Sequence, residues 1–189
     1  MKLKGSRTEK NLMAAFAGES QARNRYTFYA GVASKEGLEG IASIFLETAE
    51  HEKMHAKRYF DQLEGFDVEI QAGYPSRIGD TLVNLEAAAG GEREEWTNIY
   101  PSFARTADEE GFGVAAAIFR GIAGVEAHHE QRYRRLFDLV RSGSIYKREK
   151  PARWKCARCG HVHEGTEAPG RCPVCAHPQG WFMAVEANY

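Results

Sequence analysis

Two Glu-x-x-His sequences that lie within apolar helical stripes constrain the fold of this chain more than any other feature. The pairs are Glu52 with His55 and Glu126 with His129. Across residues 115–140, apolar side chains recur every three or four positions on both sides of the second pair, as they do on a helix face that packs in a core. An ionised carboxylate costs several kcal/mol to bury unless it is paired or binds a metal ion, so both pairs need a partner.

The periodicity predicts four long helices between about residues 7 and 140. Glycine and proline indicate breaks at residues 37–40, 65–77 and 101–113. The first and third helices also carry acids in their apolar stripes, and the third stripe is predicted to continue inward to Ile99. These acids are Glu19, Glu92 and Glu95.

An approximate internal repeat relates the two halves of this region. Glu19 precedes Glu52 by 33 positions, and Glu92 precedes Glu126 by 34. Two helical hairpins related by an approximate two-fold axis would bring all four acidic faces to one central place. The predicted fold class is therefore mainly α, with a four-helix bundle that has an acidic site at its centre.

The acidic site is predicted to hold metal ions. Lysine and arginine are almost absent from the stripes, so the five glutamates and two histidines cannot be satisfied by one another or by side-chain cations. A carboxylate-rich set with two nitrogens favours two iron or manganese ions that share bridging carboxylates over a single zinc. The predicted ligands are Glu19, Glu52, His55, Glu92, Glu95, Glu126 and His129.

Four further residues lie close to these ligands in the predicted bundle. The hydroxyls of Tyr26 and Tyr100 are predicted to reach the site, with core packing as the alternative for both. His51 and Glu130 lie one position off their stripes. Because one position is about 100° round a helix, both are expected to be solvated.

All four cysteines fall within the last 34 residues of the chain. Cys156, Cys159, Cys172 and Cys175 form two Cys-x-x-Cys sequences separated by twelve residues. Four thiolates at this spacing predict a tetrahedral site for zinc or for a single iron, and the spacing does not distinguish the two metals. Zinc is the favoured metal for such a module taken alone, and disulfides are the less favoured alternative.

The composition divides the chain into residues 1–145 for the bundle, a charged linker at 146–150 and a tail domain at 151–189. A formal net charge of −1 excludes bulk attraction to nucleic acid or to acidic membranes. The longest apolar stretch, residues 111–119, is far shorter than the roughly 20 residues that span a bilayer. Because no apolar run near the start resembles a signal peptide, a cytoplasmic location is expected.

Taken together, these motifs resemble those of the rubrerythrin family over essentially all 189 residues. Rubrerythrins have a ferritin-like diiron four-helix domain followed by a rubredoxin-like domain. The resemblance rests on Gly-Glu-Ser-Gln-Ala-Arg-Asn-Arg-Tyr at 18–26, Glu-Lys-Met-His at 52–55, Glu-Arg-Glu-Glu at 92–95, Glu-Ala-His-His at 126–129 and the four-cysteine tail from Trp154. Plain ferritin-like proteins share the first set of motifs but lack the tail.

The resemblance implies a division of the ligands between two irons. Glu52 and Glu126 would bridge both irons, Glu19 would bind the first iron, and the second iron would take Glu92 and His129. This division comes from the family and not from the spacing of the residues.

The resemblance also implies that two residues alternate as ligands of the first iron. Glu95 would bind when that iron is oxidised and His55 when it is reduced. An anionic ligand suits the ferric state, and a neutral imidazole suits the ferrous state. For the four-cysteine site, the resemblance implies iron in place of zinc.

The implied activity is that of a peroxidase in oxidative-stress defence, which reduces hydrogen peroxide to water. The four-cysteine iron would re-reduce the diiron centre, fed by an external reductase or a rubredoxin, and the tail would serve the neighbouring subunit of a homodimer. Two alternatives remain open. The chain could be a ferroxidase that handles iron, or a non-catalytic binding module with zinc in its tail.

The tail departs from the family pattern at one position. Rubredoxin-like sites usually have glycine after the second cysteine of each pair. In this chain the first pair is followed by Gly160, but the second pair is followed by Ala176. A turn with positive φ at this position costs alanine about 1 kcal/mol relative to glycine.

Overall fold

Five α-helices and three strands make up the part of the chain that the computed structural model describes, residues 2–65, 67 and 69–185. The helices are α1 (Arg7–Lys35), α2 (Glu39–Phe60), α3 (Thr81–Glu94), α4 (Tyr100–Glu109) and α5 (Gly113–Arg141), and the strands are β1 (Lys147–Cys156), β2 (Val162–Glu167) and β3 (Phe182–Ala184). The predicted mainly α fold with a small tail is confirmed. Residues 1 and 186–189, the outer ends of the two predicted domains, lie outside the described residues.

Two helical hairpins form the bundle. Helices α1 and α2 pack along each other and are joined by a short turn at Gly37, whose positive φ of 78° is readily adopted by glycine. The second hairpin is made by α3 and α4 on one side and α5 on the other. None of the helices in the described ranges is long and apolar enough to cross a membrane.

The core of the bundle consists of two apolar clusters with the acidic residues between them. Both α2 and α5 contribute to both clusters. Glu52 lies between Ala49 of one cluster and Tyr59 of the other, and Glu126 lies between Ile122 and Tyr133. The helices are therefore held by apolar packing on either side of the site.

The predicted helix break at residues 101–113 is mostly wrong. Helix α3 continues through a π-helical segment, Glu95–Ile99, directly into α4, and the chain turns only after Glu109. Pro101 does not end the helix: it is the second residue of α4 and comes directly after the π-helical segment, where the regular hydrogen-bond spacing is already changed. The predicted breaks at 37–40 and 65–77 fall in or at the edges of the observed connections.

The tail forms an antiparallel sheet with the strand order β2-β1-β3. Strand β1 already begins at Lys147, so residues 147–150 of the predicted linker belong to this sheet. The reason is that Lys147 pairs with Glu167 of β2 in the backbone register, and their side chains form an ion pair at 3.8 Å. The domain boundaries themselves stay a prediction.

The tail contacts the bundle at the turn between α1 and α2. A Cβ atom at Gly180 would lie only 1.8 Å from the backbone oxygen of Gly37, and one at Gly40 would lie 2.8 Å from the side chain of Met183. The contact at Gly180 is with backbone and requires glycine, whereas the one at Gly40 is with the flexible side chain of Met183. The tail therefore lies at the end of the bundle that carries this turn.

Candidate metal centres

The helices place six of the predicted ligands in the middle of the bundle. All six are buried, and the four central glutamates are at most 1% exposed, so water does not solvate their carboxylates. They are Glu19 from α1, Glu52 and His55 from α2, Glu92 from α3, and Glu126 and His129 from α5.

The ligand atoms form two overlapping groups. Glu19 and His55 belong to one group and Glu92 and His129 to the other, and within each group all ligand atoms lie within 4.8 Å of one another. Glu52 and Glu126 belong to both groups. This arrangement provides two adjacent metal positions with two shared carboxylates.

Many polar atoms of this cluster are buried without a hydrogen-bond partner. The Nδ1 atom of His129 lies 2.7 Å from Glu126 Oε2, yet neither atom has a hydrogen bond. The same is true of both carboxylate oxygens of Glu52. Buried polar groups are normally satisfied, so these atoms require cations, and a donor set of carboxylates and imidazoles suits two iron or manganese ions.

In the metal-free site, crowding raises the pKa of several carboxyl groups. Burial, and then the charges of Glu126 and Glu52, raise the pKa of Glu95 to about 8. Burial also raises the pKa values of Glu19 and Glu92 well above the usual range. Without metal, these carboxyl groups therefore tend to bind protons, which neutralise the negative charge that metal cations would otherwise neutralise.

The pKa values of the two histidines are raised, as expected for imidazoles among carboxylates. Burial opposes their protonation, but neighbouring Glu126 and Glu52 raise the pKa of His55 to about 10 and that of His129 to about 9. Burial likewise opposes ionisation of Glu126, but His129 and His55 lower its pKa to about 2. In the metal-free site, protonated His55 and His129 thus supply positive charge that metal ions would otherwise supply.

The structure places both predicted tyrosine hydroxyls on site carboxylates. Tyr26 donates to Glu92 Oε1, and Tyr100 donates to Glu19 Oε1 at 2.5 Å. Ile99, which the sequence places on the inward face, is half-buried and packs against an apolar cluster, whereas the next residue, Tyr100, is 1% exposed. The π-helical turn explains this, because the N–H of Tyr100 bonds the carbonyl of Glu95, five residues earlier.

Glu95 is the one predicted ligand that belongs to neither group of closely spaced atoms in the described chain. It is half-buried and lines a cleft of about 380 Å³ together with Tyr74 and Tyr100. The cleft gives a small molecule a route towards the acidic site.

The expectation that Glu130 is solvated is wrong, whereas for His51, whose side chain is 44% exposed, it holds in part. Glu130 is buried, and it accepts hydrogen bonds from Trp96 Nε1 at 2.6 Å and Arg134 Nε at 2.5 Å. The arginine four residues later was the available signal for Glu130. His51 is half-buried and contacts His129.

The four cysteines converge on one site in the tail, with all four sulfurs within 4.8 Å of one another. The Sγ atoms of Cys156 and Cys175 are 3.7 Å apart, and those of Cys159 and Cys172 are 3.6 Å apart. These distances exclude disulfides, and they fit the edge of about 3.8 Å in a tetrahedron with metal–sulfur bonds of about 2.3 Å. The residues present therefore fit one tetrahedral metal ion.

The two cysteine loops have matching backbone hydrogen bonds. Gly160 N–H bonds the carbonyl of Cys156, and Ala176 N–H bonds that of Cys172. The φ angles are 79° at Gly160 and 59° at Ala176, which confirms the positive φ expected for the alanine.

Comparisons with known proteins agree with this two-site architecture. A family model for rubrerythrin matches residues 10–137, and one for the rubredoxin-like domain of rubrerythrin matches residues 154–183. The chain is 57% identical to a rubrerythrin of Porphyromonas gingivalis, over 99% of this chain and 94% of that protein.

Solved structures show the same fold. Fully reduced, all-ferrous nigerythrin matches with a TM-score of 0.65 at 31% identity, over 96% of this chain and 90% of the other. Bacterioferritin BfrA of Mycobacterium tuberculosis matches with a TM-score of 0.64 at 17% identity, over 71% of this chain and 86% of the other, which shows the ferritin-like fold alone. With both its bundle and its tail matched, the chain belongs to the rubrerythrin family.

Proposed function

We propose that this protein is a peroxidase that reduces hydrogen peroxide to water at the bundle site and is re-reduced through the four-cysteine site. The observation that carries the proposal is the presence of both sites in one chain. A carboxylate-bridged pair of irons exchanges two electrons, and a four-thiolate iron exchanges one. A site that only stored iron would have no need of an attached one-electron centre.

The proposed ligand assignment follows the two overlapping groups. Glu19 and His55 would hold one iron, Glu92 and His129 would hold the other, and Glu52 and Glu126, which belong to both groups, would be shared. This division matches the one that the family resemblance implies.

Glu95 is proposed as the ligand that replaces His55 at the first iron on oxidation. Its place in the cleft, outside both groups, supports a residue that is not permanently bound.

The reaction consumes one hydrogen peroxide, two electrons and two protons and yields two waters. Two ferrous ions bound at this site would supply the two electrons that the reduction needs. Hydrogen bonds from Tyr26 and Tyr100 orient the carboxylates of Glu92 and Glu19, and the cleft beside Glu95 is large enough to admit peroxide. The buried site, closed by apolar clusters at both ends, limits access of water.

The position of the tail supports a homodimer as the working unit. The tail contacts Gly40, and Glu52 lies twelve residues further along α2, which is about 18 Å at 1.5 Å per residue. This length of helix lies between the tail contact and the bundle site, so electron transfer within one chain is expected to be slow. The tail is therefore proposed to serve the bundle of a neighbouring subunit in the cytoplasm, with an external reductase or a rubredoxin as donor.

A cysteine substitution tests this division of roles. Cys159→Ser should abolish turnover with a nicotinamide-linked donor system, yet leave peroxide oxidation of the chemically reduced bundle largely intact in a single turnover. Wild-type protein with zinc in the four-cysteine site is the matched control, because zinc does not change redox state. It should behave like the variant.

Two outcomes would contradict the proposal. Loss of single-turnover oxidation in Cys159→Ser would show that the two sites do not have separate roles. Release of ferric iron or growth of a mineral core during turnover would instead indicate a ferroxidase.

A further inference from the structure

His51, which the sequence predicts to be solvated, directly contacts the buried His129. The Nδ1 atom of His51 lies 3.2 Å from the Nε2 atom of His129. The two rings are within 8° of parallel with centroids 5.3 Å apart. Because the nitrogen–nitrogen contact spans most of that separation, the rings meet edge to edge in nearly one plane, as in a hydrogen bond between imidazoles.

The other ring nitrogen of His129 faces the proposed metal position. Its Nδ1 atom lies 2.7 Å from Glu126 Oε2 and 3.3 Å from Glu52 Oε1. A neutral imidazole carries one N–H, so a metal ion at Nδ1 leaves that hydrogen on Nε2. The N–H then points at His51, whose Nδ1 accepts the hydrogen bond and whose own hydrogen lies on Nε2.

A pair of charged residues lies on the other side of His51. The Nε2 atom of His51 is 4.0 Å from Glu47 Oε1. Both oxygens of Glu47 accept hydrogen bonds from the Arg132 guanidinium, at 3.0 and 2.9 Å. Arg132 belongs to α5 and its side chain is only 12% exposed, so this network ties α2 to the helix that carries His129.

The second histidine of the site lacks such support. In the described part of the chain, His55 makes its polar contacts through Nδ1 alone, towards Glu19, Glu52 and Glu126. His129 therefore has a partner for the ring nitrogen that faces away from the metal position, whereas the polar contacts of His55 in the described chain all involve Nδ1. This difference suits a fixed ligand at one metal position and an exchangeable ligand at the other.

We propose that His51 is a positioning residue that fixes the tautomer and ring orientation of His129 and thereby strengthens metal binding at the position shared with Glu92. The inference rests on the ligand role proposed for His129, and not on peroxide being the substrate. Metal-bound histidines commonly donate their second N–H to such a partner, whose loss typically weakens metal affinity 10- to 100-fold.

Cobalt(II) titration of the full chain, with zinc already in the four-cysteine site, measures both bundle positions without any turnover. His51→Phe keeps an aromatic ring but removes the acceptor, whereas His51→Gln restores an acceptor without the ring. His128→Phe is the matched control, since His128 is an exposed histidine next to His129. The His51 side chain is 44% exposed, so these changes leave the core intact.

His51→Phe should weaken the binding of one of the two bundle ions about 10- to 100-fold. His51→Gln should keep most of the affinity, and His128→Phe should match the wild type. Equal affinities of His51→Phe and wild type would overturn the inference. A Gln variant as weak as the Phe variant would do the same, because ring packing would then explain the loss. A wild-type bundle that binds fewer than two cobalt ions would instead contradict the ligand assignment itself.

Discussion

Tyr26 and Tyr100 link the two hairpins of the bundle through the metal site. Tyr26 of the first hairpin donates to Glu92 of the second, and Tyr100 of the second donates to Glu19 of the first. Each hydroxyl thus satisfies one oxygen of a carboxylate whose other oxygen has no hydrogen-bond partner. The tyrosines thus provide hydrogen bonds to one oxygen of each carboxylate, and the other oxygen of each carboxylate remains available to a metal ion.

Tyr100→Phe tests this arrangement at the residue scale. Removal of the hydroxyl leaves Glu19 Oε1 unpaired, so the free energy of unfolding of the metal-loaded protein should fall by about 1.5–3 kcal/mol. Denaturant unfolding measures the change. Tyr74→Phe is the control, because its hydroxyl makes only a 3.3 Å bond to the exposed Ala14 carbonyl. Equal losses in the two variants would contradict a special role for Tyr100.

The protonation of the metal-free site predicts an unusual pH dependence of stability. The folded pKa values of Glu95, His55 and His129, about 8, 10 and 9, all lie above those of an unfolded chain. The folded state therefore binds more protons, and the stability that these groups contribute is present at low pH and is lost as the pH rises from about 5 to about 10. Urea unfolding of bundle-metal-free protein should give lower stability at pH 9 than at pH 6.

The metal-loaded protein should lose less stability over the same pH range, because cations replace the protons. The depressed pKa of Glu126, about 2, acts in the opposite direction but only in acid, below the usual glutamate range. Metal-free protein that is equally stable at pH 6 and pH 9 would contradict the account of the buried acids.

At the residue scale, the sequence could predict the six central acids and histidines because each interrupts an apolar stripe. Glu130 and His51 could not be predicted in this way. Both lie off the stripe, and their contacts depend on partners from other elements, such as Trp96 for Glu130 and His129 for His51. Helical periodicity carries no information about those contacts.

The elements of the bundle were predictable except at the π-helical segment. Regular α-helical spacing would put Tyr100 far round the helix from Glu95, whereas the wider π turn brings both towards the site. The proline at 101 looks like a break in the sequence, but the helix continues through it to Glu109. A single inserted residue in a helix depends on tertiary packing and leaves no periodic signal.

A capping contact between the two hairpins gives a prediction at the element scale. The Glu110 carboxylate accepts hydrogen bonds from the backbone N–H groups of Arg7 and Thr8 and from the Thr8 hydroxyl, at the beginning of α1. These bonds from Thr8 and Arg7 lower the pKa of Glu110 to about 2. Its contribution to stability is therefore present above the usual glutamate pKa and is lost as the pH falls through about 2.

Glu110→Gln should lower the Tm at pH 7, and the difference from wild type should shrink towards pH 3. Thermal unfolding followed by circular dichroism measures both values. The control is Glu109→Gln, since among the described residues the Glu109 carboxylate pairs only with the exposed guanidinium of Arg7. A difference that does not change with pH would show that the charge of Glu110 has no part in the cap.

At the scale of the whole molecule, two metal sites lie in two different architectures. The bundle site is enclosed by apolar clusters, whereas Cys159 of the tail site is exposed. An exposed one-electron site is accessible to a protein donor, and a buried two-metal site is accessible only to a small oxidant. This difference in exposure is the physical basis for assigning the relay to the tail and the chemistry to the bundle.

The most direct test of this assignment is the oxidation of the fully reduced, iron-loaded protein, prepared anaerobically and mixed in a stopped-flow instrument with peroxide in one experiment and with dioxygen in another. The visible absorption of both centres reports the reaction. Peroxide is expected to oxidise the bundle site much faster than dioxygen does, with about one peroxide consumed per two electrons. Comparable rates with the two oxidants, or faster oxidation by dioxygen, would contradict it.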